Sequence, residues 1–155
     1  MCALLSCQGL AKAFGAQTLF TGVTLVINPG DRVGLIGPNG SGKSTLLKIL
    51  CDLEQPDSGT VFTQKLLRIG YLRQEDSFDE TASCIDILYQ AAQKLDIDEA
   101  EQYNRVHALL SRAQFADPHQ SVRQLSGGWR KRLAICRALV RRPEVLVMDE
   151  PTNHL

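Results

Sequence analysis

Residues 37–45 combine the residue types that bind a polyphosphate. Their sequence, GPNGSGKST, fits the pattern G-x-x-x-x-G-K-[ST] through Gly37, Gly42, Lys43 and Ser44. Glycine can adopt left-handed backbone angles, so consecutive N–H groups can turn inward and form a concave site for anionic oxygens. The helix predicted to begin here directs its positive end at the same site. We therefore expect this segment, the glycine loop, to bind phosphate groups.

Three side chains of the glycine loop have separate expected tasks. The Lys43 ammonium can reach the β- and γ-phosphates of a nucleotide, the Ser44 hydroxyl can hold Mg²⁺, and Thr45 can donate to the α-phosphate. The alternative is a Gly/Ser turn that contains a lysine by chance. The flanking elements disfavour it, because a β-type run at residues 32–36 precedes the loop and helical apolar spacing follows it.

Two carboxylates end an apolar run at residues 144–150. The sequence EVLVMDE predicts a buried parallel-type strand. Open α/β sheets bind ligands beyond the carboxyl ends of their strands, so Asp149 is expected beside the glycine loop, where it can hold the same Mg²⁺. Glu150 can take a proton from a water that attacks the γ-phosphate. The alternative is a pair of ordinary surface carboxylates after a strand.

A second glycine-rich helix start lies at Ser126. Ser126 is a suitable N-cap, and Gly127 and Gly128 leave the first N–H groups of the helix uncovered, which predicts a second anion-binding helix end. Seven basic residues and no acidic one lie between Arg123 and Arg142. This basic run is either a solvated helix face or a nucleic-acid contact.

Two single residues have one ordinary and one functional interpretation. Phe14, in a turn after the first strand, is either a core residue or a face on which a purine ring stacks. Gln74, at the end of a predicted strand, is either a loop glutamine or a side chain that faces a metal.

The remaining pattern predicts one α/β domain. Strands are expected at residues 3–10, 19–27, 60–62 and 67–72, and helices between residues 82 and 116. The 17 basic and 17 acidic residues cancel, so no global field favours nucleic acid or anionic lipid. Five scattered cysteines without a C-x-x-C pair predict reduced thiols in a cytoplasmic protein. No apolar run approaches the ~20 residues of a membrane span.

Together these motifs resemble the nucleotide-binding domain of ATP-binding cassette (ABC) ATPases over nearly the whole chain. Residues 37–45 look like the Walker A loop, LSGGW at 125–129 like the ABC signature, and VLVMDE at 145–150 like Walker B. The resemblance implies an α/β P-loop NTPase core with a mixed sheet, an antiparallel β subdomain and a small helical subdomain. The expected organisation is a single domain over residues 1–155, incomplete at its C-terminal end. Its core would lie at about 1–74 and 124–155, and its helical subdomain at about 75–123.

The resemblance also assigns site residues, with ATP and Mg²⁺ as cofactors. It implies Glu150, Gln74 and Lys43 as catalytic residues, and Ser44, Gln74 and Asp149 as metal-facing residues. The residues expected to bind nucleotide are Phe14, Gly37, Pro38, Asn39, Gly40, Ser41, Gly42, Lys43, Ser44, Thr45, Ser126, Gly127 and Gly128. In this family each ATP lies between the Walker A loop of one domain and the signature of another. A second cassette, on the same full-length chain or in a dimer, is therefore the expected partner.

The last residues narrow the resemblance. DEPTNHL at 149–155 looks like the ABC-F class, whose members carry two cassettes on one chain and no membrane domain. The N-terminal segment is similar to that of a first cassette of the Uup-like branch. Many ABC-F proteins bind the ribosome, so we expect an ATPase that acts on translation, with the ribosome or its RNA as partner. The alternatives are the ATP-binding subunit of an ABC membrane transporter and a nucleotide-gated interaction module without turnover.

Three departures from the family pattern accompany this resemblance. The sequence stops before the expected D-loop aspartate and switch histidine, so the isolated fragment is expected to bind ATP weakly and turn it over poorly. Only 51 residues separate Gln74 from Ser126, which leaves little room for the long arm of many ABC-F factors. Trp129 stands where glutamine is commoner.

Overall fold

The computed structural model describes residues 3–74 and 76–149. The chain divides into two compact units, Met1–Ile69 and Gly70–Leu155, and each has its own hydrophobic core. The elements in chain order are β1 (Leu5–Phe14), β2 (Gln17–Ile27), α1 (Lys43–Leu50), β3 (Ser58–Thr63), β4 (Ile69–Leu72), α2 (Cys84–Ala92), α3 (Glu99–Arg112), α4 (Gly127–Leu139) and β5 (Val145–Met148).

The first unit is built on an antiparallel sheet of order β2-β1-β3. Leu5 and Cys7 of β1 point into the core, as strand alternation requires, but the next buried residue is Leu10. The register shifts between Cys7 and Leu10, and Gly9 adopts a φ of +63°. This bulge returns Leu10 to the core face. The helix expected after the glycine loop is confirmed as α1, which supplies the other buried core residues: Leu46, Ile49 and Leu50.

The strand predicted at residues 32–36 is wrong. The described backbone from residue 31 to 38 has no regular structure, and the side chain of Ile36 is 96% exposed. The apolar pattern of this segment is local, but a strand requires backbone partners on a neighbouring strand. In the first unit, β1 pairs with β2 and β3, and no strand among its described residues pairs with 32–36. The glycine loop therefore follows an irregular, exposed segment.

The described residues of the second unit combine a two-stranded sheet, β4-β5, with three α-helices and a short 3-10 helix at Val122–Gln124. The helices predicted between residues 82 and 116 are confirmed as α2 and α3. Ser83 caps α2 through a capping box with Asp86, and Asp98 caps α3 by accepting from the N–H of Glu101. Leu88, Val106 and Leu133 are fully buried where α2, α3 and α4 share one core. Among the described residues, no helix is both long and apolar enough to cross a membrane.

The cysteines behave as small core residues. Cys7, Cys84 and Cys136 are buried, and all of these, together with Cys51, are free thiols. Burial raises the pKa of Cys51 and of Cys136 to about 11, so both thiols stay protonated near neutral pH. The prediction of cysteines as small core residues is confirmed for Cys7, Cys84 and Cys136, Cys51 is half-buried, and Cys2 lies outside the described residues.

Candidate functional site

The glycine loop has the left-handed backbone angles that its sequence predicts. Gly40 adopts a φ of +80° and Gly42 a φ of +87°. Gly42 occupies the N-cap position of α1, which has no side-chain hydrogen bond to its first turn. The first N–H groups of α1 therefore lack the side-chain cap that most helix starts have, and the positive end of the helix lies at the glycine loop. This arrangement suits an anionic ligand.

Lys43 closes the loop on itself. Its Nζ donates to the carbonyl oxygens of Gly37 and Pro38, each at 2.9 Å. These acceptors are neutral dipoles, whereas a phosphate oxygen would offer the ammonium a charge-assisted hydrogen bond. The Lys43 ammonium is thus held by backbone carbonyls of the loop, and an anionic ligand can replace these carbonyls as its partner.

Strand β2 supports the glycine loop from one side. A Cβ atom at Gly42 would lie 2.9 Å from Cβ of Leu19 and 3.0 Å from Cδ1 of Phe20. Such contacts are too short for a real side chain, so Gly42 is required both by its backbone angle and by its close approach to β2. The loop is consequently fixed by packing as well as by hydrogen bonds.

Phe14 ends β1 and is not a core residue. Its side chain is 55% exposed, and the Lys12 Nζ lies 5.4 Å from the ring centroid. Lys12 is held by Glu54 at 3.1 Å and by Asp57 at 3.2 Å. The hydrogen bond to Glu54 raises the pKa of Lys12, and a hydrogen bond from the Ala13 N–H is the main cause of the lowered pKa of Asp57. Phe14 therefore presents an exposed aromatic ring beside a fixed cation.

In the second unit, Asp149 follows β5 as a buried carboxylate. Its side chain is 4% exposed, its N–H donates to the Leu72 carbonyl at 3.0 Å, and the Tyr71 hydroxyl donates to its Oδ2 at 3.1 Å. Gln74 lies two residues after the end of β4, so the ends of both strands carry polar residues at one edge of this sheet. Sequence reasoning missed Tyr71, although its position on β4, three residues before Gln74, was a usable signal. The expected place of Asp149 beside the glycine loop remains a prediction.

Ser126 caps α4, as predicted. Its Oγ accepts from the N–H of Trp129 at 3.5 Å, and both Ser126 and Gly127 are exposed. The Trp129 ring packs against Phe115, with centroids 5.1 Å apart, and the Arg132 guanidinium lies 4.7 Å from the Trp129 ring centroid. The start of α4 is accordingly exposed at Ser126 and Gly127, whereas Trp129 in the same turn packs against Phe115.

Much of the basic run 123–142 is engaged within the second unit. Arg130 makes two short hydrogen bonds to Glu80, Arg137 pairs with Asp76, and Arg142 pairs with Glu101. Lys131 is buried and donates to backbone carbonyls. Contact with the protein itself is a role that neither predicted interpretation included, although the Arg142 side chain is also 64% exposed, in keeping with a solvated face.

Several predicted residues stay predictions. Glu150 and residues 151–155, which carry the expected base and the NHL element, lie outside the described residues. Within residues 3–74 and 76–149, no group of three His, Cys, Asp or Glu residues could hold a metal ion. The set expected from the sequence, Ser44, Gln74 and Asp149, contains only one such residue. Serine and glutamine oxygens nevertheless suit Mg²⁺, which keeps several waters and takes few carboxylates.

The loop geometry and the α/β fold define a class of phosphate-binding proteins in which a left-handed glycine turn leads into a helix that begins with a lysine. The chain belongs to the ABC transporter family, whose model matches residues 20–153. Its fold is accordingly that of an ABC ATP-binding domain, as the sequence predicts.

Comparison with individual proteins gives the same family. Nod factor export ATP-binding protein I of Cupriavidus metallidurans is 36% identical over 166 residues, covering 100% of this chain and 55% of that protein. The energy-dependent translational throttle protein EttA of Mycobacterium tuberculosis is 32% identical over 179 residues, covering 93% of this chain and 32% of that protein. The dimeric structure of a post-hydrolysis state of the ATP-binding cassette MJ0796, bound to ADP and Pi, matches with a TM-score of 0.81 at 26% identity. That match covers 97% of this chain and 75% of the other. The chain spans about half the length of its Nod factor export relatives.

Proposed function

We propose that this chain is a cassette that binds Mg-ATP at its glycine loop and, within the full-length protein, hydrolyses it. The observation that carries the proposal is the loop itself, where Gly40 and Gly42 are left-handed, α1 has no side-chain cap, and Lys43 is held by two replaceable carbonyls. A triphosphate fits these groups, because it brings oxyanions to a helix end, a set of backbone donors and an ammonium. We propose Gly37, Pro38, Asn39, Ser41 and Thr45 as the rest of the cradle.

The other roles follow the family resemblance. Phe14, as an exposed ring, would stack on the base, and the hydroxyl of Ser44 would hold Mg²⁺ with Gln74 and Asp149. Mg²⁺ would neutralise charge on the β- and γ-phosphates. Glu150 would accept a proton from the attacking water. The Tyr71 hydroxyl fixes one oxygen of Asp149, which orients the carboxylate.

Pairing is part of the proposal. The exposed Ser126 and Gly127, together with Gly128, would face the γ-phosphate of a nucleotide held by a second cassette. The dimeric, nucleotide-bound relative described above supports this arrangement. Hydrolysis would then remove the γ-phosphate charge that bridges two cassettes. ATP binding would therefore close the pair of cassettes, and ATP hydrolysis would open it. We also propose that residues 1–74 and 124–155 form the ATPase core and that residues 75–123 form a separate helical subdomain.

For the partner of the full-length protein, we propose an ABC-F role in the cytoplasm, on the ribosome. DEPTNHL and the similarity to EttA favour it. The second candidate, an ATP-binding subunit of a membrane transporter, has at least equal support from the similarity to the Nod factor export protein. A short test separates them: ATP-dependent co-sedimentation of the full-length Glu150→Gln variant with ribosomes supports the first, and co-purification with membrane proteins supports the second.

Phosphate release by the full-length protein tests the activity. We expect steady hydrolysis that Glu150→Gln abolishes while nucleotide binding remains, and that Lys43→Met abolishes together with tight binding. Exposed Lys94→Met serves as the control and should match the wild type. Binding without any phosphate release would instead identify a nucleotide-gated interaction module.

A further inference from the structure

The segment that follows β4 is bound along its length by basic side chains of α4. Lys131 contacts its beginning, Arg137 its middle and Arg130 its end. All of these groups belong to the second unit. The segment includes Gln74, which the proposed function places at the metal, whereas α4 begins directly after its exposed N-cap residue, Ser126.

Lys131 makes the most telling of these contacts. The residue is 7% exposed, and its Nζ donates to the carbonyl oxygen of Arg73 at 2.8 Å and to that of Gln74 at 3.3 Å. Burying an ammonium is costly unless its donors are satisfied in a fixed geometry. The two carbonyls that satisfy it lie in the main chain on either side of the Gln74 Cα atom. Lys131 thus fixes the main chain at the residue expected to face Mg²⁺.

Arg137 and Arg130 continue the same attachment. Arg137 donates to Oδ1 of Asp76 at 2.6 Å and to the Ser77 carbonyl at 3.1 Å, and its guanidinium lies 4.4 Å from the ring centroid of Phe78. Arg130 binds both carboxylate oxygens of Glu80, at 2.6 and 2.7 Å. Bidentate pairs of this kind fix orientation as well as distance. Each contact repeats the link between α4 and the segment after β4.

We propose that Lys131 is a positioning residue, which makes the position of Gln74 depend on the position of α4. The inference rests on the proposed function, because it assumes that Gln74 faces Mg²⁺ when nucleotide is bound. A partner that binds the Ser126 end of α4 would then change the position of Gln74 through Lys131. A purely structural lysine would stabilise the unit without affecting metal binding.

The test uses the full-length protein with the Lys131→Met substitution, which keeps the side-chain volume and removes the donors. Hydrogen exchange over residues 73–80 should be roughly tenfold faster than in the wild type, because a hydrogen bond to a charged group is lost. The Mg²⁺ concentration for half-maximal binding of a fluorescent ATP analogue should rise about fivefold, a typical coupling between sites. Binding of the analogue without Mg²⁺ should not change, and Lys94→Met should match the wild type in both measurements.

A double variant separates positioning from bulk stability. Gln74→Ala should raise the Mg²⁺ requirement by itself, and adding Lys131→Met should raise it no further. An unchanged Mg²⁺ requirement in Lys131→Met, with or without faster exchange, overturns the inference. If Lys131→Met does not fold, Arg137→Gln decides in its place, with a smaller increase in Mg²⁺ requirement expected and no increase contradicting the proposal. A wild-type protein that binds no Mg-nucleotide refutes the proposed function instead.

Discussion

Helices α1 and α4 both have glycine at their start, at the N-cap of α1 and at the first position of α4, but their first turns are arranged differently. α1 begins after a left-handed Gly42 that gives no side-chain cap, and the adjacent Lys43 is bound to loop carbonyls. α4 begins after Ser126 in an extended conformation, and the Ser126 side chain accepts from the first turn. Among the helices that the structure describes, α1 is the one that combines a glycine N-cap, which provides no side-chain hydrogen bond, with a lysine at its first position.

The difference shows how similar sequence elements become different sites. A glycine at the N-cap allows the chain to turn sharply, and it leaves the donors of the helix for a ligand. A serine at the N-cap accepts a hydrogen bond from one of these N–H groups, so the helix end is stable without a ligand. We infer that the start of α1 binds its nucleotide directly, whereas the start of α4 adds to a nucleotide already bound elsewhere.

The largest expected effect comes from Gly42→Ala. A Cβ at this position meets Leu19 and Phe20 and requires a left-handed angle, so we expect a loss of about 2 kcal/mol or more in the free energy of unfolding. Gly128→Ala is the matched control. Gly128 lies within α4, where alanine should instead stabilise by about 0.5–1 kcal/mol. Urea denaturation monitored by circular dichroism measures both. Equal effects of the two substitutions would contradict the distinction between the helix starts.

Loss of the serine caps should have a smaller effect. Ser83→Ala removes a complete capping box from α2 and should cost about 1–2 kcal/mol. Ser126→Ala removes one long hydrogen bond of 3.5 Å and should cost about 0.5 kcal/mol. The same urea titration compares them. Ser126→Ala should in addition weaken ATP-dependent pairing in the full-length protein, which Ser83→Ala should leave intact as long as the protein is folded.

The smallest expected effect concerns acid stability of the first unit. The hydrogen bond from the Ala13 N–H, followed by Lys12, lowers the pKa of Asp57 below its ordinary value of about 3.9. The stabilisation by this carboxylate is complete above that ordinary value and is lost as the pH falls through the lowered pKa. Asp57→Asn should therefore flatten the acid limb of stability against pH below about pH 4. Exposed Asp96→Asn is the control, and identical acid limbs in wild type and Asp57→Asn would refute the assignment.

Features that depend on neighbouring residues could be predicted from the sequence, but contacts between residues distant in the sequence could not. The left-handed glycines, the Ser126 cap, the two helices of the region 82–116 and the strand before Asp149 all follow from residue types within a few positions. Residues 32–36 have a strand-like composition and yet lie outside any sheet, because strand formation depends on distant partners. Tyr71 and Lys131 were missed for the same reason. Their roles arise from contacts 78 and 57 or 58 residues away in sequence.

Hydrogen exchange on the backbone amides of residues 40–46 reports directly on whether the glycine loop binds Mg-ATP. Addition of Mg-ATP to the full-length protein should slow exchange there by at least roughly tenfold, the effect of about 1.4 kcal/mol of added protection. Lys43→Met should remove most of this protection. The amides of residues 127–129 should become protected only under conditions in which two cassettes pair. Unchanged exchange over residues 40–46 at saturating Mg-ATP would contradict the account.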